Sequence, residues 1–326
     1  MIVKPIEIKW TPDIPIFAAP DFLKAVGDES GWLGGFDEAN RLLCYLPFTI
    51  IKKPFFKLVR FRIETILLDQ NLKPEEEKRF LNLVVDYFKK VRADVIIPAT
   101  TNSIFRTYPD GATAAPYGTF KIDLTRTENE IWQGMSSSHR RKIRLALKEG
   151  VRIRTGLEYS EIAYQLIKDT FNRSKIRFMS YSSFLKYLQG LGEYVRIFVA
   201  EKEGKYQAAL VIPFSLPSAY YVYGGSCPEP IVGATNLLHW EAIKYFKFLG
   251  VKCYDFVGVR IDPEKGSKQE GLSQYKERFG GELYRGFIWK YKLNPVKYYG
   301  YEIAVRILKG GDIVDQEKHK LRNYQV

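Results

Sequence analysis

Apolar residues recur with two different periods along this chain. Residues 42–51, LLCYLPFTII, and 55–67, FFKLVRFRIETIL, are dense in β-branched and aromatic side chains. Lys53-Pro54 separates them, so they read as consecutive strands. From Pro74 the period lengthens. Phe80, Val84, Tyr87, Phe88 and Val91 recur at spacings of three and four, which is one apolar face of a helix opened by proline. DVIIP at 94–98 is a short buried strand, and Thr119–Leu124 is another. Thr125 and Glu128 form a Thr-x-x-Glu capping box, which predicts a helix through Trp132 and Met135. SSSHRRKIRLALKEG at 136–150 reads as a second helix, entered at a serine and stopped at Gly150. Arg140, Arg144 and Lys148 fall four apart on it as a cationic stripe, with Ile143, Ala146 and Leu147 on the apolar side.

The second half begins with a strictly alternating strand, VRIRTG (151–156). Helices at 160–172 and 182–191 follow. VRIFVAEKEG, QAALVIPFSL and SAYYVYGGSC then read as a three-stranded meander with turns at Glu203-Gly204 and Pro217-Ser218. A helix at about 235–249, the strand VKCYDFVGV (251–259), the helical stretch GLSQYKERFGG, the strand ELYRGFIWKYKL and a helix from Pro295 to about Lys309 complete the pattern. The order β-α-α-β-β-β-α-β-α-β, with antiparallel strands between helices, is that of a GNAT acyltransferase fold. The first half offers a shorter version. The expected fold class is therefore α/β (α+β): two tandem GNAT-like lobes with mixed, largely antiparallel sheets. Residues 1–150 form the first, with linker helices at 125–150. Residues 151–326 form the second, with the final helix packing back on the first.

Composition adds a partner class. The net charge of +13 favours anionic partners: nucleic acid, phosphorylated substrates or an anionic membrane surface. Cys44, Cys227 and Cys253 are scattered and odd in number, which points to free thiols and a cytoplasmic setting. His139, His239 and His319 are equally dispersed, which argues against a zinc site or a Ser-His-Asp triad. The N-terminal MIVKPIEIKWTPDIP has no signal-peptide core, and no run reaches the roughly 18 apolar residues of a membrane span. Membrane contact is expected to be peripheral at most, at the inner face.

Three stretches carry a family resemblance. IDLTRTENEIWQGMSSSHRRKIRLALKEGVRI, NLLHWEAIKYFKFLGVKCYDFVGV and GLSQYKERFGGE occur in that order. Together they resemble the FemAB-like (FemABX) peptidyltransferases, of the shorter, arm-free type. The resemblance implies aminoacyl transfer to an amine of a peptidoglycan muropeptide, UDP- or lipid-linked, with aminoacyl-tRNA as donor. Some relatives act in lipopolysaccharide or exopolysaccharide synthesis, or with acyl-CoA. A CoA-dependent N-acyltransferase and a non-catalytic basic binding module are thus the alternatives. Where the family has glycine, this chain has Lys175, and Val257 replaces the first glycine of Asp-Phe-Gly-Gly.

Local sequence leaves Lys276 open between a solvated helix turn and a residue facing a reaction. Motif position implies an oxyanion stabiliser, with Tyr275 shaping the pocket beside it. Arg173 is the candidate for an acceptor phosphate because guanidinium donates in a fork, and Arg260 is a second. Tyr223, Gly224 and Gly225 lie where GNAT folds hold the acyl donor, and the glycines admit close approach to the backbone. Arg140, Arg141, Arg144 and Lys148 are the candidate tRNA-backbone contacts. PEPIVGATNLL offers Gly233-Ala234 but lacks the arginine and full spacing of a CoA pyrophosphate loop. No cofactor or metal is expected, with acyl-CoA reserved for the alternative.

Overall fold

The computed structural model describes residues 1–98, 103–309 and 312–323. The first half comprises β1 (Ile2–Ile6), α1 (Pro20–Val26), β2 (Glu29–Phe36), β3 (Leu42–Lys53), β4 (Phe56–Phe61), β5 (Ile66–Leu67), α2 (Pro74–Lys90), β6 (Val95–Ile96), β7 (Thr113–Asp123), α3 (Glu128–Gly134) and α4 (Ser137–Lys148). In the second half β8 (Arg152–Thr155) leads into α5 (Ser160–Arg173) and α6 (Tyr181–Leu191). Strands β9 (Val195–Lys202), β10 (Lys205–Pro213), β11 (Ala219–Tyr220) and β12 (Tyr223–Ser226) follow. Then come α7 (Ala234–Phe248), β13 (Cys253–Asp255), β14 (Val259–Arg260), α8 (Lys268–Glu277), β15 (Glu282–Lys292), α9 (Pro295–Lys309) and α10 (Ile313–Glu317).

Two sheets organise these elements. The larger runs β1-β2-β3-β4-β6-β15-β7-β13-β11, with β5 beside β3 and β14 beside β7. The smaller runs β12-β10-β9-β8. All pairs are antiparallel except β4 with β6 and β11 with β13. The expected lobe boundary falls between α4 and β8, yet the large sheet crosses it. β15 pairs with β7 from Glu282↔Lys121 to Lys290↔Thr113.

Side-chain alternation explains why the small sheet is buried on both faces. Phe198, Ala200, Ala208, Leu210 and Ile212 face one core together with α7. The intervening Ile197, Val199, Ala209 and Val211 face another, with α1, α5 and α6. A third core forms where Phe80, Leu81, Val84, Val85 and Phe88 of α2 meet β3 and β4.

Three sequence expectations change. The capping box sits two residues later: Thr127 Oγ1 accepts the Glu130 N–H at 3.2 Å, and Glu130 returns to accept the Thr127 N–H at 2.7 Å. The stretch TRTENE contains Thr-x-x-Glu twice, and Thr125 is instead tied to Asp123. The third strand of the meander is broken: β12 stays on β10, while β11 crosses to pair with β13. VKCYDFVGV is likewise two short strands, interrupted where Val257 adopts a φ of +52°. The chain also begins with β1 against β2, which its charged, proline-containing sequence disguises.

The last segment docks. Lys290 of β15, 1% exposed, donates to Asp312 at 2.8 Å and pairs with Asp315 at 2.6 Å. Arg260 pairs with Glu317 at 3.2 Å, and Lys320 reaches the Ile261 and Asp262 carbonyls. α10 and the helical turn Lys318–Asn323 thus lie along β7, in the first half of the chain.

Candidate functional site at the split between the sheets

The site arises from the break between β11 and β12. Residues 219–226 leave one sheet and join the other, and the gap opens a cleft of about 430 Å³. Tyr221, Gly224, Gly225, Asn236, Tyr275 and Lys276 are among its lining. The glycines are needed for packing. A Cβ on Gly225 would stand 2.4 Å from the Leu166 carbonyl of α5, and one on Gly224 would stand 2.2 Å from the Tyr221 hydroxyl.

Lys276 occupies the last turn of α8, half-buried. Its ammonium donates to the Gly258 carbonyl at 2.9 Å and to the Val257 carbonyl. Burial pushes its pKa down from 10.5 to about 8, opposed by Asp255. Asp255 is itself held by the Thr119 hydroxyl at 2.6 Å and the Val257 N–H at 2.7 Å. Val257 and Lys175, which stand where the resembling family has glycine, both have left-handed backbone, with φ of +52° and +56°. A β-branched residue is strained there, and the carbonyl so displayed is one that holds Lys276.

Behind the lysine is an aromatic wall. The Tyr275 ring lies 5.3 Å from Phe279 and 5.2 Å from His139. Its hydroxyl is buried without a hydrogen-bond partner, as is Asn236 Nδ2. Two unpaired polar atoms among this lining suit a ligand with polar groups of its own. His239 meets the Tyr254 hydroxyl at 2.8 Å, and burial pushes its pKa down to about 3. His139 is pushed down to about 4. Both are neutral near pH 7 and too weakly basic to serve as a general base. Between pH 6.5 and 4 the unfolded chain therefore binds more protons at these two sites than the folded chain, so stability falls as pH drops through that window. The urea midpoint should be lower at pH 5 than at pH 7. In His239→Gln the difference between the two should shrink, and an unchanged difference would refute the assignment.

The other sequence candidates are placed as follows. Arg173 is exposed at the rim, donating to the Ser226 carbonyl at 2.6 Å and to the Thr170 hydroxyl at 2.8 Å. Tyr223 lies on the other side of the same strand, against Phe178 and Tyr187. Arg260 is outside both clefts that flank this strand, held by Glu317 and Gln316. Arg140 is not part of a free stripe: it donates to the Gln133 and Met135 carbonyls at the end of α3. Arg141, Arg144 and Lys148 are exposed, and Arg144 lies over the Trp132 ring.

Sequence reasoning missed a second, basic cleft of about 650 Å³ on the Tyr223 side. Lys52, Lys53, Arg60, Arg62 and Lys186 line it together with Tyr187. Arg62 is buried, donating to Thr49 Oγ1 at 3.1 Å and to the Val26 carbonyl, and burial lowers its pKa to about 10. Arg60 Nε and the Tyr187 hydroxyl are buried without hydrogen-bond partners. The alternation in KKPFFKLVRFR was the available signal, because it places Arg60 and Arg62 on one face of a strand. Residues 221–226 form the wall between the two clefts. Among the described residues, no group of three or more His, Cys, Asp or Glu could hold a metal ion, and no helix is long and apolar enough to cross a membrane.

No family model matches the chain. Over 85 residues, 26% of its length, it is 33% identical to a Lipid II:glycine glycyltransferase of Staphylococcus epidermidis. An 82-residue match, also 33% identical, links it to the Lipid II:glycine glycyltransferase of Staphylococcus aureus. Each match spans 20% of the relative's own length. The solved structure of FemX aligns with a TM-score of 0.66 over 91% of this chain and 99% of that one, at 15% identity. The chain has the fold of FemX. A tandem GNAT protein from the clavulanic acid biosynthesis pathway is similar in fold at a TM-score of 0.50, covering 82% of this chain and 84% of that one at 10% identity.

Proposed function

We propose that this FemABX-like chain is an acyltransferase that moves an aminoacyl group onto an amine of a peptidoglycan precursor. The observation that carries the reading is the Lys276 ammonium, anchored at the split between the sheets. An ammonium has three donors. The Val257 and Gly258 carbonyls take two, which leaves the third for a ligand in the cleft. An oxyanion developing there would meet a cation already oriented, so little reorganisation accompanies the reaction.

The chemistry needs no stronger base than solvent. The neutral acceptor amine attacks the carbonyl carbon of an aminoacyl ester, and the C–N bond forms. Lys276 holds the tetrahedral oxyanion. The C–O bond then breaks, the carbonyl re-forms and the proton released by the amine passes to the leaving hydroxyl through solvent. The donor is aminoacyl-tRNA, an ester of this kind, and the exposed Arg141, Arg144 and Lys148 are its phosphate contacts. The acceptor's phosphates occupy the basic cleft, where Arg60 Nε is buried without a partner. The wall at 221–226 keeps donor and acceptor apart except at the reacting atoms. The names of the staphylococcal relatives, which specify glycine and lipid II, support the pairing.

The test is transfer of labelled glycine from glycyl-tRNA to lipid II or to the UDP-linked muropeptide, with acetyl-CoA and an amino-sugar nucleotide as a parallel arm. Label in the muropeptide is expected. Transfer in the CoA arm alone would replace this reading with the N-acyltransferase, and none in either arm would leave a binding module.

A further inference from the structure

At the edge of the large sheet, α9 and the β3–β4 hairpin expose large apolar side chains that none of the described residues covers. On α9, Val296 is 84% exposed, Tyr299 67% and Ile303 44%. Their spacing of three and four aligns them along one stripe. At the hairpin, Phe55 is 92% exposed. It is the second residue of a two-residue loop, with a φ of +60° that suits Gly or Asn, so turn formation does not account for a phenylalanine there. The two features form a continuous edge. Phe56 stacks on Tyr301 at 5.5 Å, and Asp94 binds both the Lys57 N–H and the Lys297 ammonium.

Lysines border these apolar groups. Lys52, Lys53 and Lys57 flank the hairpin loop, and Lys292 and Lys297 flank the start of α9. Lys52 pairs with Glu29, Lys292 with Glu302 and Lys297 with Asp94, so among the described residues Lys53 and Lys57 carry most of the uncompensated charge. Exposed rings and aliphatic groups fringed by lysine, on a chain of net charge +13, have the chemistry of a surface that enters the headgroup region of an anionic bilayer. A second copy of this chain fits poorly, because a symmetric contact through this edge would set lysine against lysine. Ile51, Lys52 and Lys53 also line the basic cleft, so that cleft opens beside this edge.

We infer that α9 and the 52–57 hairpin form a peripheral docking surface for an anionic phospholipid bilayer. The surface delivers the basic cleft to the plane of the lipid headgroups. It does not depend on which group the chain transfers, and binding rather than turnover reads it out.

The experiment is co-sedimentation of the full chain with vesicles of phosphatidylcholine alone and of phosphatidylcholine mixed equally with phosphatidylglycerol. Binding is expected only to the anionic vesicles, and it should weaken as salt rises. The triple variant Phe55→Asn, Val296→Ser, Tyr299→Ser should lose binding while keeping the wild-type Tm, since all three side chains are exposed. Lys53→Glu with Lys57→Glu should weaken partitioning roughly tenfold or more, on the order of fivefold per basic residue. Three results would overturn the inference: no sedimentation of the wild type, equal sedimentation of the variants, or a wild-type dimer in ultracentrifugation that Phe55→Asn dissociates. The last would make the edge a self-interface.

Discussion

Lys276→Met should lower kcat for aminoacyl transfer by roughly a hundredfold to a thousandfold, the usual loss when one oxyanion donor is removed. Tm should stay level or rise. Methionine keeps much of the side chain's length but has no charge to desolvate, and the folded chain charges that lysine less readily than the unfolded one does. The charge also predicts a pH signature. Only the protonated form carries the positive charge and the third N–H that the oxyanion needs, so wild-type turnover should fall as pH rises through about 8. Stability should move the other way. Between pH 8 and 10.5 the unfolded chain binds more protons at this site than the folded one, so folding is favoured increasingly across that window. The methionine variant should lose this contribution to both profiles. Steady-state kinetics and urea midpoints across the range test the pair. Near-normal turnover in the variant would remove Lys276 from the chemistry.

Lys290→Met should destabilise the protein by about 3–5 kcal/mol, the cost of leaving buried charge without its partner. Lys290 is almost wholly buried, and Asp312 and Asp315 converge on it from the docked segment. Removing the lysine leaves two carboxylates facing each other against β15. The segment 312–323 should then come away and become sensitive to proteolysis ahead of global unfolding, releasing Arg260 from Glu317. Combining Lys290→Met with Asp312→Asn and Asp315→Asn should restore most of the loss, because no unpaired charge remains. A single variant that loses less than about 1 kcal/mol in urea unfolding would mean the triad does not anchor the tail.

Particular residues show how far the site could be read from sequence. The periodicity of α2 and α5 is strong because each buries one face, and both helices follow from local spacing, whereas α7 is buried on several sides, with 236–240 all inside. Lys276 was singled out by its motif, and the structure places it in a cleft with Tyr275, Gly224 and Gly225. Nothing local reveals that its ammonium is held by the carbonyls beside Val257, some twenty residues earlier. In sequence Arg260 is a second candidate after Arg173, in a loop that follows a strand end. Its partners, Glu317 and Gln316, come from a tail whose docking no periodicity announces. The basic cleft was missed because Arg60 and Arg62 lie on one strand and Lys186 on a helix more than a hundred residues later.

The sequence by itself determined most of the helices and the longer strands, the chemistry available and the fold class those elements make. These depend on spacings of a few residues, where backbone geometry and burial of one face leave little choice. Tertiary structure alone decided where residues 219–226 change sheets, which carbonyls meet Lys276, and which arginines are occupied and which are free to meet an anion. Those outcomes depend on long-range pairing, such as β15 with β7 and β11 with β13. There the competing partners lie far apart in the chain, and their energies differ through burial and charge rather than local pattern.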